Sequence, residues 1–173
     1  LNPFELNPLR DVVRAQFDFE RIRHDCTLKL FIAATQVRTG KVRLFQTGEL
    51  SEDALLASAC LPTLHHAVEI DGEAYWDGGY AGNPTITPLV RESNAHDTIL
   101  VQINPVERQD TPRNASEIHN RLNEVAFNAP LLKELRMIAL LRQVADPGQS
   151  EGARWAAMRM HRISSPLMLE LGY

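Results

Sequence analysis

One aspartate of this chain stands where a carboxylate could do chemistry, at the end of a β-prone run and before two glycines. The segment reads Tyr75-Trp76-Asp77-Gly78-Gly79-Tyr80. An aspartate in water is a weak base at neutral pH, but partial burial against aromatic side chains raises its pKa. Such a carboxylate could accept the proton of a hydroxyl that attacks an ester carbonyl. A bare D-G-G triplet is more often an ordinary turn, so Asp77 needs further support.

A β-hairpin is predicted to position this aspartate. Val68–Ile70 and Glu73–Trp76 are short β-prone runs on either side of Asp71-Gly72, and Asp-Gly between two such runs is a strong hairpin signal. We expect Asp77 at the strand end, in a concave and partly apolar site. We also expect positive φ at Gly78 and Gly79, which would let the chain leave the sheet steeply. Pro84 disfavours helix at Asn83 and closes the loop.

The other elements alternate between helix and strand, which predicts an α/β fold. The first half is predicted to hold a helix from Pro8 to about Ile22 with Asn7 as N-cap, a central strand over Leu28–Thr35, a strand over Lys41–Phe45, and a helix over Glu52–Ala59 capped by Ser51. The second half is predicted to hold a buried strand over Thr98–Asn104, a long helical region from Thr111 or Asn114 with a break or kink at Pro130, a second helix to about Val144, and a late strand over Met158–Ile163. The apolar stripe within Leu131–Leu141 is more typical of core than of a partner or lipid surface.

Several ordered motifs together resemble the patatin-like phospholipase family. They are A-S-A-C-L-P-T-L over Ala57–Leu64, the hairpin, and W-D-G-G-Y-x-G-N-P over Trp76–Pro84. The resemblance also covers Lys29–Phe45, Ile99–Pro105 and the helical region after it, and so most of the chain. The resemblance implies an α/β fold, specifically part of a three-layer sandwich whose mixed, mainly parallel sheet is flanked by helices. It further implies that residues 1–173 are the C-terminal portion of a single acyl hydrolase domain.

The family implies a Ser-Asp dyad, and only the aspartate half is assigned in this chain. By resemblance, Asp77 is the catalytic Asp, and Gly78 and Gly79 complete its D-G-G motif. We expect that no serine anywhere in the 173 residues sits in a G-x-S-x-G nucleophile elbow. The elbow and the Gly-rich oxyanion loop are expected upstream of Leu1, so this chain alone is expected to be inactive. The implied substrates are ester lipids such as phospholipids or acylglycerols, and a dyad of this type needs no metal or organic cofactor.

Weaker candidates remain beside Asp77. His65 and His66 could line the substrate entrance or simply be exposed or packed, whereas a metal site with Glu69 is disfavoured because adjacent strand residues point to opposite faces. Arg159, His161 and Arg162 could meet a phosphate headgroup, although a basic strand face is usually just solvated. A noncatalytic binding or interaction module with the same fold is the alternative function.

Composition limits the possible partners. The net charge of −4 gives no electrostatic attraction to nucleic acid. Apolar stretches such as Met137–Leu141 are far shorter than the roughly 20 residues that span a bilayer, so any lipid would be met peripherally, at a membrane or micelle surface. Cys26 and Cys60 form neither a disulfide framework nor a metal spacing, and a cytoplasmic location is favoured without being fixed. Central-type strands that lack neighbours would favour self-association into a homo-oligomer.

Overall fold

The computed structural model describes residues 7–148 and 150–164 and divides the chain into two compact units. The first unit is Leu1–Pro84 and the second is Thr85–Tyr173. Both contain helices and strands, which confirms a mixed α/β class.

The first unit opens with two short helices, α1 over Pro8–Gln16 and α2 over Phe19–Asp25. Asn7 caps α1 as predicted, because its side chain accepts a hydrogen bond from the Leu9 N–H. The prediction of one helix to Ile22 is wrong, because Phe17 and Asp18 are extended. The Asp18 carboxylate accepts the Arg21 N–H and so begins a new helix.

Four antiparallel strands form the sheet of this unit. They are β1 over Phe31–Gln36, β2 over Val42–Gln46, β3 over Val68–Ile70 and β4 over Glu73–Asp77, in the order β2-β1-β4-β3. The central place of β1 and the hairpin of β3 and β4 were both predicted. The expected mainly parallel sheet is not what these strands form. Both the β1–β2 and the β3–β4 connections are tight turns, which can join only antiparallel neighbours.

Helix α3, over Glu52–Ser58, packs on this sheet to form the core of the unit. The Ser51 hydroxyl accepts the Ala54 N–H, which confirms the predicted cap. The buried cluster consists of Ala34, Phe45, Leu50, Ala54, Ala57 and Tyr75. The Phe45 and Tyr75 rings meet edge to face with centroids 5.7 Å apart, so aromatic packing anchors β4 close to its end.

The second unit contains three helices and strands β5 and β6 in its described part. The bounds are α4 Thr87–Glu92, β5 Asp97–Gln102, α5 Ala115–Val144, α6 Ser150–Ala157 and β6 Arg159–Ser164. Asn114 caps α5 and β6 forms where the alternation predicted it. The two strands pair in parallel, and the core holds Ile86, Val90, Ile138, Trp155 and Met158.

Two expectations fail in this unit. Helix α5 runs through Pro130 as one helix of 30 residues, so no break divides it and no separate second helix forms. Strand β5 is not buried on both faces, because Ile99 and Val101 are 62% and 67% exposed while Leu100 is buried. The predicted buried strand therefore has one covered face and one open apolar face among the described residues. The core position of Ile138 confirms that the apolar stripe of α5 belongs to the interior.

Candidate active site

Asp77 is the last residue of β4 and lies opposite Ala34 of the central strand. Its backbone N–H donates to the Cys60 carbonyl oxygen at 2.9 Å. Its own carbonyl oxygen accepts the Thr35 hydroxyl at 2.7 Å. Contacts from β1 and from the segment after α3 therefore fix the main chain of Asp77 on two sides.

The two glycines after Asp77 form a 3₁₀ turn over Gly78–Tyr80. Neither adopts positive φ, so that expectation is wrong; the positive φ values near the hairpin belong to Asp71 and Gly72. What requires glycine is close approach. A Cβ built on Gly78 would lie 2.1 Å from the Ala33 carbonyl oxygen, a distance that real Cβ atoms do not show. The backbone does come close, as predicted, but to β1.

The Asp77 carboxylate is partly buried and hydrogen-bonded within this turn. The Gly79 N–H donates to Asp77 Oδ1 at 2.7 Å. Burial raises the pKa of the carboxyl, and the Gly79 N–H offsets part of that rise by stabilising the charged form. The result is a carboxylate that is more basic than a free aspartate yet held in one orientation.

The A-S-A-C-L-P-T-L segment lies against Asp77, because the Cys60 carbonyl oxygen accepts the Asp77 N–H. Burial first, and then the Asp77 charge, raises the pKa of the Cys60 thiol. The same two causes raise the pKa of the Tyr80 hydroxyl. The Cys60 Sγ is 3.1 Å from the His66 carbonyl oxygen, to which it donates. Asp77, the turn and the loop after α3 therefore form one cluster.

His65 and His66 line a different feature, an open groove of about 550 Å³. Its walls also include Asn7, Arg10, Asp53 and Glu69. Within the described chain no hydrogen bond joins either imidazole to Asp77, and the buried Nδ1 of His65 has no partner. The described structure thus shows no hydrogen bond through which Asp77 could orient either histidine as a base for a serine.

Two of the three basic residues of β6 are engaged on their own strand pair. Arg159 and His161 both bind the Asp97 carboxylate, with Arg159 Nη2 at 2.5 Å and His161 Nε2 at 2.8 Å. Hydrogen bonds from Arg159 first and then His161 hold the pKa of Asp97 well below its usual range. This pairing argues against a free phosphate-binding face at these two residues.

Sequence reasoning overlooked one serine with the spacing of the elbow motif, in Gly148-Gln149-Ser150-Glu151-Gly152. A nucleophile elbow follows a strand and opens a helix. Here α5 ends at Val144 and α6 begins at Ser150, so the preceding element is a helix. A Cβ on Gly152 would lie 2.0 Å from the Asp146 carbonyl oxygen, so close packing accounts for that glycine. The string therefore lacks the structural context of an elbow.

Residues 7–148 and 150–164 contain no group of three His, Cys, Asp or Glu side chains that could hold a metal ion. Over the same ranges, no helix combines the length and apolar character that crossing a bilayer demands.

Comparison with known proteins identifies the family. The sequence model of the family described as Patatin-like phospholipase matches residues 3–90, just over half of the 173 residues. The matched range contains the whole four-stranded sheet, the Cys60 segment and the D-G-G turn. A comparison with curated proteins finds no match. The likeness suggested for Ile99–Pro105 and the later helices lies beyond the matched range and stays a prediction. On the matched half, with its α/β fold, this chain belongs to the patatin-like phospholipase family, whose members are lipid acyl hydrolases.

Proposed function

We propose that this chain supplies the aspartate of a Ser-Asp dyad in a lipid acyl hydrolase. In this proposal Asp77 is the proton acceptor, Gly78 and Gly79 complete its motif, and the serine comes from a segment outside the 173 residues. The observation that carries the proposal is the partly buried Asp77 carboxylate at a strand end, with its raised pKa and its hydrogen bond from Gly79. The chain would then be the C-terminal portion of one domain, a three-layer sandwich whose remaining strands are mainly parallel.

In the proposed reaction, Asp77 is the only group that accepts and returns a proton. The serine Oγ attacks the ester carbonyl carbon while its proton passes to the Asp77 carboxylate. Collapse of the tetrahedral intermediate breaks the bond to the alkoxy oxygen, which leaves as an alcohol with that proton, and an acyl-enzyme remains. Water then attacks the acyl carbon, gives a proton to Asp77, and the serine departs with it. A raised pKa aids both halves, because it matches the carboxyl better to proton transfer near neutral pH.

The proposed substrates are phospholipids or acylglycerols, since the family acts on lipid esters. The ester would be met at the surface of a membrane or micelle. No metal or organic cofactor takes part in the steps above.

The test is ester hydrolysis by the polypeptide that includes the upstream segment. Asp77→Asn keeps the size of the side chain and removes its basicity, so we expect p-nitrophenyl ester hydrolysis to fall about a hundredfold or more. His65→Ala and His66→Ala should retain most activity. Asp71→Asn, on the exposed turn of the same hairpin, is the matched control, and circular dichroism checks folding. A fully active Asp77→Asn enzyme would end the dyad proposal.

A noncatalytic interaction module is the second candidate, and one observation favours it. Ile99, Val101 and Ile103 present exposed apolar side chains at alternate positions of β5 and the residue after it. An upstream coding sequence without a Gly-rich turn and G-x-S-x-G would support the module over the enzyme.

A further inference from the structure

Thr35 is a buried polar residue beside the candidate aspartate. It is 6% exposed, and of the buried polar or charged residues in the described chain, it alone belongs to the first unit. A buried hydroxyl without a hydrogen bond is costly, so such groups occur where they have a specific partner. The partner of Thr35 Oγ1 is the Asp77 carbonyl oxygen at 2.7 Å.

The strand register explains why that carbonyl needs a side-chain donor. Alternate residue pairs of an antiparallel ladder exchange backbone hydrogen bonds. The Val37 N–H donates to the Ala74 carbonyl oxygen, so the next bonded pair is Thr35 with Trp76. Asp77 pairs with Ala34 and lies between bonded pairs. Its N–H and C=O therefore have no backbone partner in this ladder and must find other partners.

Those partners are the Cys60 carbonyl for the N–H and the Thr35 hydroxyl for the C=O. The Asp77 carbonyl belongs to the same planar peptide as the Gly78 N–H, so fixing that oxygen fixes the plane from which the turn starts. Gly79, the next residue, is the donor to Asp77 Oδ1. The Thr35 hydroxyl thus acts one peptide before the hydrogen bond that orients the carboxylate.

We propose that Thr35 is a positioning residue for Asp77: its hydroxyl fixes the Asp77–Gly78 peptide so that the Gly79 N–H holds the carboxylate in its reactive orientation. Its importance for turnover rests on the proposed function, whereas the positioning itself does not. Of the three hydrogen bonds that hold Asp77, this is the one donated by another residue's side chain, so it can be removed by substitution without touching the motif.

The first measurement needs no substrate and uses the 173-residue chain. Thr35→Val removes the hydroxyl at nearly constant shape, Thr35→Ser keeps it, and Thr35→Ala repeats the removal if the valine variant does not fold. Thr47→Val is the matched control. The Thr47 hydroxyl also binds backbone in the first unit, accepting the Leu30 N–H at 2.8 Å and donating to the Leu28 carbonyl at 3.1 Å.

Amide hydrogen exchange of Gly79, followed by NMR, reports the hydrogen bond to Oδ1. We expect exchange to accelerate about tenfold or more in Thr35→Val, to stay within about threefold of the parent in Thr35→Ser, and to be unchanged in Thr47→Val. The Asp77 carboxyl ¹³C titration should shift in the first variant and remain parental in the other two. Parental Gly79 exchange and parental Asp77 titration in a folded Thr35→Val or Thr35→Ala variant would overturn the proposal. Equal acceleration in Thr47→Val would also overturn it, because general destabilisation would then explain the effect.

The second measurement is turnover in the polypeptide that includes the nucleophile. Thr35→Val should lower kcat about tenfold or more with little change in KM, and Thr35→Ser should restore it, because a misplaced base slows the chemical step. If Asp77→Asn is fully active while Gly79 exchange still responds to Thr35→Val, the dyad fails and the positioning stands. If Gly79 exchange does not respond, the positioning fails whatever the activity shows.

Discussion

Replacing Gly78 by alanine tests the close contact between the D-G-G turn and the central strand. The added Cβ would lie 2.1 Å from the Ala33 carbonyl oxygen and 2.6 Å from its carbonyl carbon. The contact must open by about 0.9 Å to reach even 3.0 Å, a separation that real Cβ atoms scarcely show. The Ala33 carbonyl belongs to the backbone of β1, which lies between β2 and β4. Neither this carbonyl nor the new Cβ can move away by a side-chain rotation.

Overpacking of a tight site costs about 1–3 kcal/mol, and a clash with paired backbone belongs at or above the upper end of that range. Since φ at Gly78 is not positive, the whole penalty is steric. We therefore expect Gly78→Ala to lower the free energy of unfolding by about 3 kcal/mol or more, measured by urea denaturation with circular dichroism. Gly48→Ala is the control, because its Cβ meets nothing within 4 Å and its φ is not positive. The control should be neutral or stabilising by up to about 1 kcal/mol. A Gly78→Ala midpoint equal to that of the parent would refute the steric reasoning.

Three further outcomes follow from burial and charge. Because the folded-state pKa of Asp77 is raised, its contribution to stability is present at acid pH and is lost as pH rises through that pKa. Asp77→Asn should therefore gain stability relative to the parent from about pH 4 upward, by at most about 1 kcal/mol for a partly solvated carboxylate, and urea titrations at several pH values check this. Glu124 is 1% exposed and bound by Arg108 and Arg121; burial alone would raise its pKa, but the two arginines lower it. Glu124→Ala should lower the free energy of unfolding by about 3 kcal/mol at neutral pH. The loss should shrink as pH falls, because protonation of Glu124 removes the same stabilisation from the parent. Equal losses at neutral and acid pH would contradict this. Val101→Ser should change the free energy of unfolding by less than about 0.5 kcal/mol. It should nevertheless reduce self-association in analytical ultracentrifugation. A sedimentation profile like that of the parent would show that the open face of β5 does not mediate self-association.

Local signals were enough to predict the elements that hold the candidate aspartate. Asp71-Gly72 predicted the hairpin, and Asn7 and Ser51 predicted two helix starts, because turns and caps depend on neighbouring residues alone. Asp77 at the end of β4 follows from the same local logic. The role of Gly78 does not follow from local signals. The sequence indicates that a glycine is needed there, but not whether a positive φ or a close contact with a distant carbonyl requires it.

Errors arose where tertiary context decides. Asp18 was not recognised as a cap inside an apparently continuous helical stripe. A break or kink was expected at Pro130, but α5 continues as one helix with buried residues on both sides of the proline, Phe127 before it and Leu131 after it. The contact from Thr35 to Asp77 joins positions 42 apart in sequence, and no periodicity points to it.

Cys60, in the loop after α3, can report on the opening of the aspartate cluster through the reactivity of its thiol. Cys60 is buried, its carbonyl holds the backbone of Asp77, and its thiol pKa is raised, whereas Cys26 is only partly buried. A disulfide reagent should therefore label Cys26 first and reach Cys60 only when the loop lifts from β4. The slow phase of labelling would measure how often the aspartate cluster opens, and no cysteine has to be introduced by mutation. Substitutions or lipids that stabilise the closed cluster would lengthen that phase. The labelling rates of Cys26 and Cys60 would therefore report how often the loop separates from β4.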